Sequence, residues 1–255
     1  MVKMIMHGCN GRMGHVIVDL VKEDDAIEVV AGVDAFGESS YDFPVFKSLS
    51  ECNVEADVIV DFSNAAAVPG LLEFCTSKNI PVALCSTGLS QEQLDMVKEA
   101  SAKVAILKSA NMSVGINALM KVLKEVSPLF AAAGFDIEIV EKHHNQKLDS
   151  PSGTAIALAD SINQSLENSY DYVYDRSTRR EKRPVKEIGI SAVRGGTIVG
   201  DHDVIFAGHD EVVTISHRAY SRAIFGKGAI EAAKFLAGKG PGMYDMADVL
   251  SPFTS

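Results

Sequence analysis

The chain has 255 residues, of which 47% are hydrophobic and 23% are charged, a balance that excludes an intrinsically disordered protein. Its net charge is -10, so we expect no nucleic-acid partner and no binding to anionic membranes, since both require a dense cationic surface. The first residues enter a strand pattern directly, and no apolar run reaches the roughly 20 residues of a membrane helix, which predicts a cytoplasmic protein.

Short β-branched runs alternate with helical stretches up to about residue 110. The predicted strands are Val2–Met6, Glu28–Val33, Asp57–Asp61, Val82–Cys85 and Val104–Leu107. The predicted helices, with apolar residues at helical spacing, are Arg12–Lys22, Ala65–Lys78 and Gln91–Ala102. This alternation is typical of βαβ units, whose right-handed crossovers build a doubly wound parallel sheet of the Rossmann type.

The pattern changes after Ser113. We predict a long helix through Ala133, a strand Phe135–Glu141 and a second helix from about Gly153. Three further strands are predicted around Ile188–Val193, Thr197–Phe206 and Glu211–His217. Their adjacency favours antiparallel pairing. The charged segment Glu167–Glu187 is predicted to be an exposed connection that contributes no core residues.

A last helix is predicted at Ala223–Ala237, followed by a Gly/Pro-rich stretch and the tail Met243–Leu250. The predicted fold class is therefore α/β, with an N-terminal Rossmann domain and a middle α+β domain that contains a mixed or antiparallel sheet. The change of pattern places the first domain at residues 1–113 and the second at residues 114–222.

The four cysteines have neither CxxC spacing nor a histidine at zinc-ligand intervals. They are Cys9, Cys52, Cys75 and Cys85. We interpret them as reduced and mostly buried side chains. We expect no metal ion.

A glycine-rich loop follows the first strand and opens the first helix. Its sequence is Gly8-Cys9-Asn10-Gly11-Arg12-Met13-Gly14, a G-x-x-G-x-x-G variant of the commoner G-x-G-x-x-G. Glycines allow close backbone approach, and N–H groups at a helix start attract phosphate. Such a turn also occurs for purely geometric reasons, so the loop alone does not establish a ligand.

Asp34 directly follows the second predicted strand, 20 residues beyond Gly14. A Rossmann domain places there the acid that binds the adenosine ribose, so loop and acid together indicate a nicotinamide dinucleotide. Ala35 follows the acid, and no arginine stands there to pair with a 2′-phosphate. We therefore expect NADH to be preferred over NADPH. If NADPH is used, Arg12 is the residue expected to contact its extra phosphate.

Two polar segments follow the fourth and fifth predicted strands. They contain Cys85, Ser86 and Thr87 in the first and Ser109, Ala110, Asn111 and Met112 in the second. Ligands of open α/β sheets lie along the carboxyl edge, so both segments are candidates for cofactor contact. Without the glycine loop, ordinary polar loops would be the preferred interpretation.

The densest group of reactive side chains lies between residues 141 and 155. His143, His144 and Lys147 can supply cationic or proton-donating groups, and the N–H groups of Gly153 and Thr154 at a helix start can bind a carboxylate. Such a site suits the reduction of an unsaturated, carboxylated molecule. A metal site is disfavoured because adjacent histidines seldom converge on one ion.

Two further histidines lie in a predicted hairpin. They are His202, which lies between Asp201 and Asp203, and His209, which precedes Asp210. A histidine in such a setting is usually a structural or solvated group. We interpret both as surface residues.

These motifs resemble the dihydrodipicolinate reductase family. The resemblance rests on the loop Gly8 to Gly14, the string Glu141-Lys142-His143-His144 with Lys147, the run Asp149 to Ala155, and Arg194-Gly195-Gly196. It spans nearly the whole chain. The His-His-x-x-Lys-x-Asp-x-Pro-Ser-Gly-Thr string is highly specific.

The resemblance implies NAD(P)H-dependent reduction of a dihydrodipicolinate-type cyclic imine to tetrahydrodipicolinate, with loss of water, in lysine and diaminopimelate biosynthesis. It implies His143 as proton donor or acceptor and Lys147 as proton donor. The groups implied to bind the small dicarboxylate substrate are His144, Gly153 and Thr154. Some members carry Arg-His where this chain has Asn145-Gln146, which removes two possible cationic contacts.

The resemblance also implies a cofactor site and an assembly. In the family the cofactor contacts the segments that correspond to Gly8 to Met13, Asp34, Cys85 to Thr87 and Ser109 to Met112. Residues 223–255 are expected to fold back and complete the dinucleotide-binding domain. The middle domain is expected to bind substrate and to build a homotetramer through its sheet.

Two alternatives remain open from the residues themselves. A related two-domain NAD(P)-dependent amino-acid or semialdehyde dehydrogenase would share the glycine loop and the carboxyl-edge site, and the His-His-x-x-Lys string distinguishes it. A non-catalytic dinucleotide-sensing protein would bind the cofactor without consuming it. That alternative gives no reason for a carboxylate site beside two histidines.

Overall fold

The computed structural model describes residues 1–36 and 41–251. Contacts divide the chain into two units, one of Met1–Val114 with the chain from Arg222 onward and one of Gly115–Ser221. In the described ranges, no helix combines the length and the apolar character needed to cross a membrane.

The elements are numbered in chain order. The strands are β1 (Val2–His7), β2 (Ile27–Val33), β3 (Val45–Phe46), β4 (Val58–Asp61), β5 (Val82–Leu84), β6 (Ala105–Leu107), β7 (Asp136–His143), β8 (Asp171–Val173), β9 (Glu187–Arg194), β10 (Gly200–Ala207), β11 (Val212–Ala219) and β12 (Gly242–Tyr244). The α-helices are α1 (Arg12–Val21), α2 (Val68–Lys78), α3 (Gln91–Ser101), α4 (Val114–Ala132), α5 (Gly153–Ser165), α6 (Ala223–Leu236) and α7 (Met246–Leu250). Short 3-10 helices lie at Leu49–Glu51 and Ala65–Ala67.

A parallel sheet forms the centre of the first unit. Its strand order is β12-β6-β5-β4-β1-β2-β3, and every neighbouring pair runs parallel. Because side chains alternate along a strand, Met4 and Met6 of β1 pack with residues of α1 and α6, whereas Ile5 packs with residues of α2 and α3. Both faces are buried, which explains the unbroken apolar strands.

The predicted strands of this unit match β1, β2, β4, β5 and β6 to within one residue at either end. Helix α3 begins where Ser90 and Gln93 form a capping box, and α2 ends at Asn79 in the left-handed conformation. The predicted helix from Ala65 is instead a 3-10 turn that leads into α2. Strands β3 and β12 were not predicted because two or three residues carry no clear period.

The second unit contains a five-stranded mixed sheet in the order β11-β10-β7-β9-β8. Its core combines one face of this sheet with residues of α4 and α5, including Leu123, Ile139, Leu158, Ile190 and Phe206. The alternating burial along β7 shows that only one face of this strand is fully covered. With the parallel sheet of the first unit, this arrangement confirms the predicted fold class.

One pairing prediction was partly wrong. Strands β10 and β11 are antiparallel as expected, but β9 does not pair with β10. It lies beside β7 and β8 and runs parallel to both. The chain between β7 and β9, which contains α5 and β8, is long enough for the crossover that a parallel pair needs.

The prediction that Glu167–Glu187 carries no core was wrong. The segment contains β8, where Val173 is buried, while Tyr170 and Tyr172 pack against the core of the second unit. Its arginines also bind inward. Arg176 and Arg183 both contact Glu138 on β7. Ion pairs, not aliphatic side chains, hold most of the segment against the second unit. The prediction failed because it treated a charged sequence as an exposed one.

Helix α6 belongs to the core of the first unit. Ala229, Ala233 and Leu236 are fully buried against residues of the sheet and α1. The helix backbone approaches its neighbours closely, since a Cβ added at Gly228 would lie 1.6 Å from the carbonyl oxygen of Met112. Only glycine permits this approach.

Candidate functional site

The glycine loop has the close backbone packing expected of a phosphate cradle. Gly8 has a φ of +83°, and a Cβ there would lie 2.7 Å from the Phe62 carbonyl oxygen. A Cβ at Gly14 would lie 2.3 Å from the Cys9 carbonyl oxygen. Gly11 is the N-cap of α1 and makes no side-chain cap hydrogen bond. These features fit a dinucleotide pyrophosphate at the helix start.

Asp34 is hydrogen-bonded to the glycine loop. Its Oδ2 accepts from the Asn10 backbone N–H at 3.0 Å, and its Oδ1 accepts from the Phe36 N–H at 2.9 Å. The Asn10 side chain donates to the Phe36 carbonyl oxygen at 2.7 Å. Arg12, which follows Gly11 of the loop, and Ala35, which follows Asp34, are both exposed. The predicted ribose acid is therefore held next to the predicted phosphate loop.

A cavity of about 1030 Å³ opens along this edge of the first unit. Gly8, Asn10 and Asp34 line it, together with Lys47 and Lys78. A volume of this size suits a ligand larger than a metabolite of a few atoms.

A buried carboxylate lies at the end of β4. Asp61 is fully buried, its Oδ1 accepts from Ser63 Oγ and its Oδ2 accepts from Ser86 Oγ, both at 2.6 Å. His7 Nδ1 lies 2.8 Å from Oδ1 in an ion-pair contact. Although burial alone would raise it, the contacts with His7, Ser63 and Ser86 hold the pKa of Asp61 below its usual value. We refer to these four residues as the Asp61 cluster.

The other predicted cofactor segments lie at the same edge, because β5 and β6 run parallel to β1. After β5, Cys85 is half-buried, Ser86 is buried and Thr87 is exposed. After β6, the segment consists of Ser109, Ala110, Asn111 and the buried Met112. The structure thus brings the loop, Asp34 and both segments to the carboxyl edge of one sheet.

Cys9 is a buried residue of this loop. Burial, with the nearby charge of Asp34, raises the pKa of its thiol to about 11. The side chain also lies against the sheet, since a Cβ added at Gly32 would be 2.7 Å from its Sγ. Cys9 is therefore a protonated packing residue at neutral pH.

In the second unit, the predicted catalytic string starts at the end of β7. His143 is its last residue, and only 8% of it is exposed. Its Nδ1 lies 2.6 Å from Oε2 of Glu141, which precedes it by two residues on the same face of the strand. Burial lowers the pKa of His143 below its usual value despite this contact. The imidazole is therefore neutral at pH 7.

Glu141 is fully buried and connects several parts of the site. Arg194 donates from Nη1 to Oε2 and from Nη2 to Oε1, both at 2.7 Å. The Ser152 backbone N–H donates to Oε1 at 2.9 Å. Burial alone would raise the pKa of Glu141, but the hydrogen bonds from Arg194, His143 and Ser152 lower it. The carboxylate is therefore ionised. We refer to these four residues as the Glu141 cluster.

Lys147 follows in the loop after β7. Its Nζ lies 2.9 Å from Asp149 Oδ1, and the same carboxylate contacts the backbone N–H of Gly153. Arg194 Nη2 donates to the Asp149 carbonyl oxygen at 2.7 Å. Lys147 and the start of α5 are thus close enough to share one carboxylate. His144 is half-buried beside them in the sequence.

Ser152 forms the N-cap of α5. Its Oγ accepts from the Ala155 N–H at 3.1 Å, so Gly153 and Thr154 occupy the first turn, as the sequence predicts. An N-terminal turn carries partial positive charge. This charge and Lys147 together can attract an anionic group.

The surface interpretation of His202 was wrong. His202 is only 4% exposed, its Nε2 lies 3.0 Å from Ser152 Oγ, and its ring stacks edge-on against His143 with centroids 5.2 Å apart. Burial, with the nearby His143, lowers the pKa of His202 to about 4. The flanking aspartates suggested an exposed position, but their side chains lie on the opposite face of β10 from His202. His209 is exposed as expected.

Sequence reasoning assigned no role to Asp61, Glu141 or Arg194. Two local signals were present. Asp61 is a carboxylate that ends an otherwise apolar strand, and Glu141 stands two residues before His143, on the same strand face. Arg194 is 53 residues from Glu141, and its pairing depends on the parallel register of β7 with β9.

Among residues 1–36 and 41–251, no group of three or more His, Cys, Asp or Glu side chains is placed to hold a metal ion.

Comparisons with known proteins agree across the chain. Residues 2–112 match the family model described as dihydrodipicolinate reductase, N-terminus, and residues 115–250 match the corresponding C-terminus. A 4-hydroxy-tetrahydrodipicolinate reductase of Caldanaerobacter subterraneus is 55% identical over 250 residues, and one of Clostridium tetani is 49% identical over 251, each covering 98% of both chains. A solved dipicolinate-bound dihydrodipicolinate reductase from Paenisporosarcina has a TM-score of 0.78 at 26% identity, covering 96% of this chain and 97% of that one.

The parallel sheet with its glycine loop and Asp34, joined to a second unit with a His-Lys site, defines a two-unit NAD(P)H-dependent oxidoreductase. The family models cover nearly the full length, and the relatives match over 98% of the chain. The chain belongs to the dihydrodipicolinate reductase family.

Proposed function

We propose that this chain reduces a dihydrodipicolinate-type cyclic imine to tetrahydrodipicolinate with NAD(P)H, as a 4-hydroxy-tetrahydrodipicolinate reductase of lysine and diaminopimelate biosynthesis. The observation that carries the proposal is the Glu141–His143 pair, with Lys147 and the start of α5 sharing one carboxylate beside it. Such a site can bind an anionic substrate and exchange a proton with it. The names of the full-length relatives support the same reaction.

The residues that would hold the dinucleotide are those of the carboxyl edge: Gly8 to Met13, Asp34, Cys85 to Thr87 and Ser109 to Met112. The nicotinamide, when bound, supplies the hydride. The close packing at Gly8 and Gly14, where an added Cβ would meet backbone atoms, supports this proposal because a phosphate cradle needs glycine at such positions. Asp34 accepts hydrogen bonds from ribose hydroxyls.

Within this function we propose that NADH is preferred over NADPH. An added 2′-phosphate would meet the charge of Asp34, and the residue that follows is Ala35. The exposed Arg12 is the group best placed in sequence to offset that repulsion. Steady-state kcat/KM values for the two cofactors test this preference, and equal values would contradict it.

The roles at the second site follow from its charges. The ammonium of Lys147 donates a proton to the substrate, and His143 exchanges a proton through its uncharged imidazole. His144 with the N–H groups of Gly153 and Thr154 binds the substrate carboxylates. Asp149, whose contact with Lys147 lowers its pKa, already shows carboxylate chemistry at this position. A substrate carboxylate would replace it.

We also propose a homotetramer built through the mixed sheet. The sheet face opposite α4 and α5 carries Val140 and Ile205, and on the same face Val193 is 45% and Val212 is 62% exposed. The same face carries the Lys142–Asp203 ion pair, and exposed valines beside such polar groups suit a subunit interface. Light scattering should give the mass of four chains, and Val212→Glu should lower it.

The direct test of function is NADH oxidation coupled to the synthase that condenses pyruvate with aspartate semialdehyde. Absorbance of NADH should fall only when that synthase and its substrates are present. Oxidation that does not depend on the synthase, or no oxidation at all, would contradict the proposed reaction.

A further inference from the structure

We propose that Glu141 is a positioning residue that holds His143 in its Nδ1–H tautomer and, through the same carboxylate, ties the imidazole to the start of α5. The proposal rests on the proposed function, since it treats His143 as the group that exchanges a proton. Glu141 and Arg194 belong to the motifs that carry the family resemblance, but no role has been assigned to either of them above.

The orientation of the Glu141 carboxylate is fixed from several sides. Arg194 contacts both oxygens through two nitrogens at 2.7 Å, a fork that leaves the carboxylate little freedom to rotate. The Ser152 N–H adds a third donor at Oε1. Because the side chain is fully buried, water does not compete for these positions.

This arrangement dictates the hydrogen on His143. An ionised carboxylate only accepts, so at 2.6 Å from Oε2 the imidazole must donate from Nδ1. The neutral ring then has its lone pair at Nε2, the nitrogen available for proton exchange. A Cβ added at Gly200 would lie 3.0 Å from this Nε2, so the neighbouring strand leaves room around it only because residue 200 is glycine.

The charges that face His143 come from every element packed around it. Glu141 on β7 favours the protonated ring, whereas Arg194 on β9 and Lys147 in the loop disfavour it, and the uncharged His202 on β10 only packs against it. Burial also disfavours the protonated ring and lowers the pKa of His143. Glu141 is thus the group that offsets them, and losing its charge should move the ionisation of His143 to lower pH.

The same carboxylate sets the distance between the proton-exchanging group and the proposed substrate site. Oε2 receives His143, and Oε1 receives the N–H of Ser152, the N-cap of α5. The imidazole and the first turn of α5 are therefore linked through the two oxygens of one rigid group. A substrate carboxylate bound at that turn would lie at a fixed distance from Nε2.

The first test uses the unaltered enzyme. Long-range ¹H–¹⁵N spectra of histidine-labelled protein at neutral pH should show His143 with a protonated Nδ1 and an unprotonated Nε2. His143→Asn identifies its signals by their loss. The opposite tautomer would overturn the proposal, whether or not any variant folds.

The second test compares two matched substitutions. Glu187 is also buried, and Arg176 and Arg179 each contact one of its carboxylate oxygens. It stands seven residues before Arg194 on β9, about 23 Å along the strand. In both Glu141→Gln and Glu187→Gln, an amide NH₂ group therefore faces a guanidinium, and donor meets donor. Only Glu141→Gln also removes the negative charge that contacts His143.

We expect Glu141→Gln to lower kcat about 10²- to 10³-fold and to move the His143 titration to lower pH, with unchanged NADH affinity. Glu187→Gln should leave all three near wild type. Equal losses in the two variants, or an unmoved titration, would reduce Glu141 to a structural residue. Turnover of the unaltered enzyme in the coupled assay tests the proposed function. The tautomer measurement requires no substrate, so the two proposals can fail independently.

Discussion

The Asp61 cluster of the first unit and the Glu141 cluster of the second are built around the same object, a carboxylate with no exposed surface. Their partners differ. The side chains that contact Asp61 are the hydroxyls of Ser63 and Ser86 and the imidazole of His7, whereas those that contact Glu141 are the guanidinium of Arg194 and the imidazole of His143. Hydroxyls can donate or accept, but a guanidinium only donates. The Asp61 cluster can therefore accommodate a neutral amide in place of its carboxylate, and the Glu141 cluster cannot.

The comparison also separates two functions. The Asp61 cluster lies at the edge that carries the predicted cofactor residues, while the Glu141 cluster holds the groups proposed to move protons. Substitutions in the first should change dinucleotide affinity, and substitutions in the second should change turnover.

The largest effect should follow from Lys147→Met. Loss of the proposed proton donor should lower kcat by about 10²- to 10⁴-fold while NADH affinity, measured by fluorescence titration, stays the same. Lys142→Met is the matched control, since Lys142 pairs with Asp203. Wild-type turnover in Lys147→Met would remove the proposed role.

The two carboxylates should respond differently to the same chemical change. In Glu141→Gln, either amide orientation points an NH₂ group at Arg194, so we expect a loss of about 3–5 kcal/mol in the free energy of unfolding. In Asp61→Asn, the amide can replace Oδ2 and donate to Ser86, so the loss should be about 1 kcal/mol. Urea denaturation measures both. Similar losses of stability in the two variants would contradict the proposed difference between the two clusters.

Acid should destabilise the second unit through His202. Its pKa is lowered to about 4 from an ordinary 6.5, so stability is complete above pH 6.5 and falls as the unfolded chain alone takes up the proton. The loss between those values amounts to about 3 kcal/mol, at about 1.4 kcal/mol per pH unit. His202→Asn should flatten this slope in denaturation curves, and His209→Asn, at an exposed position, should not.

The smallest effect concerns the glycine loop. In Gly8→Ala, the new Cβ would meet the Phe62 carbonyl in a left-handed backbone, and we expect NADH affinity to fall about tenfold with a stability loss of about 1–3 kcal/mol. Gly238→Ala shares the left-handed backbone, with φ of +81° and no atom within 4 Å of the added Cβ. If Gly238→Ala weakened NADH equally, the loss could not be assigned to the cradle.

The predictability of each region depended on how local its contacts are. Strands such as β1 and β4 could be predicted because their apolar runs and flanking turns lie within a few residues. The parallel pairing of β7 with β9 could not, since nothing local distinguishes it from a hairpin. Two-residue β3 carried no period at all.

The candidate site divides in the same way. The glycine loop and the His143 to Thr154 string are contiguous, so their residues could be selected from sequence. The two buried carboxylates of these regions depend on partners that are distant in sequence, Arg194 for Glu141 and Ser86 for Asp61. His202 was misjudged because its neighbours in sequence are charged, while its own side chain points into the core.

Helix α6 has a consequence for synthesis on the ribosome. It covers one face of the parallel sheet and touches Met112, yet it is translated more than 100 residues after β6. A nascent chain holding only the first 114 residues exposes that apolar face, whereas residues 115–221 form a contiguous unit that emerges whole. The later-translated middle unit can therefore complete its folding before the dinucleotide-binding unit, reversing the usual N-to-C order.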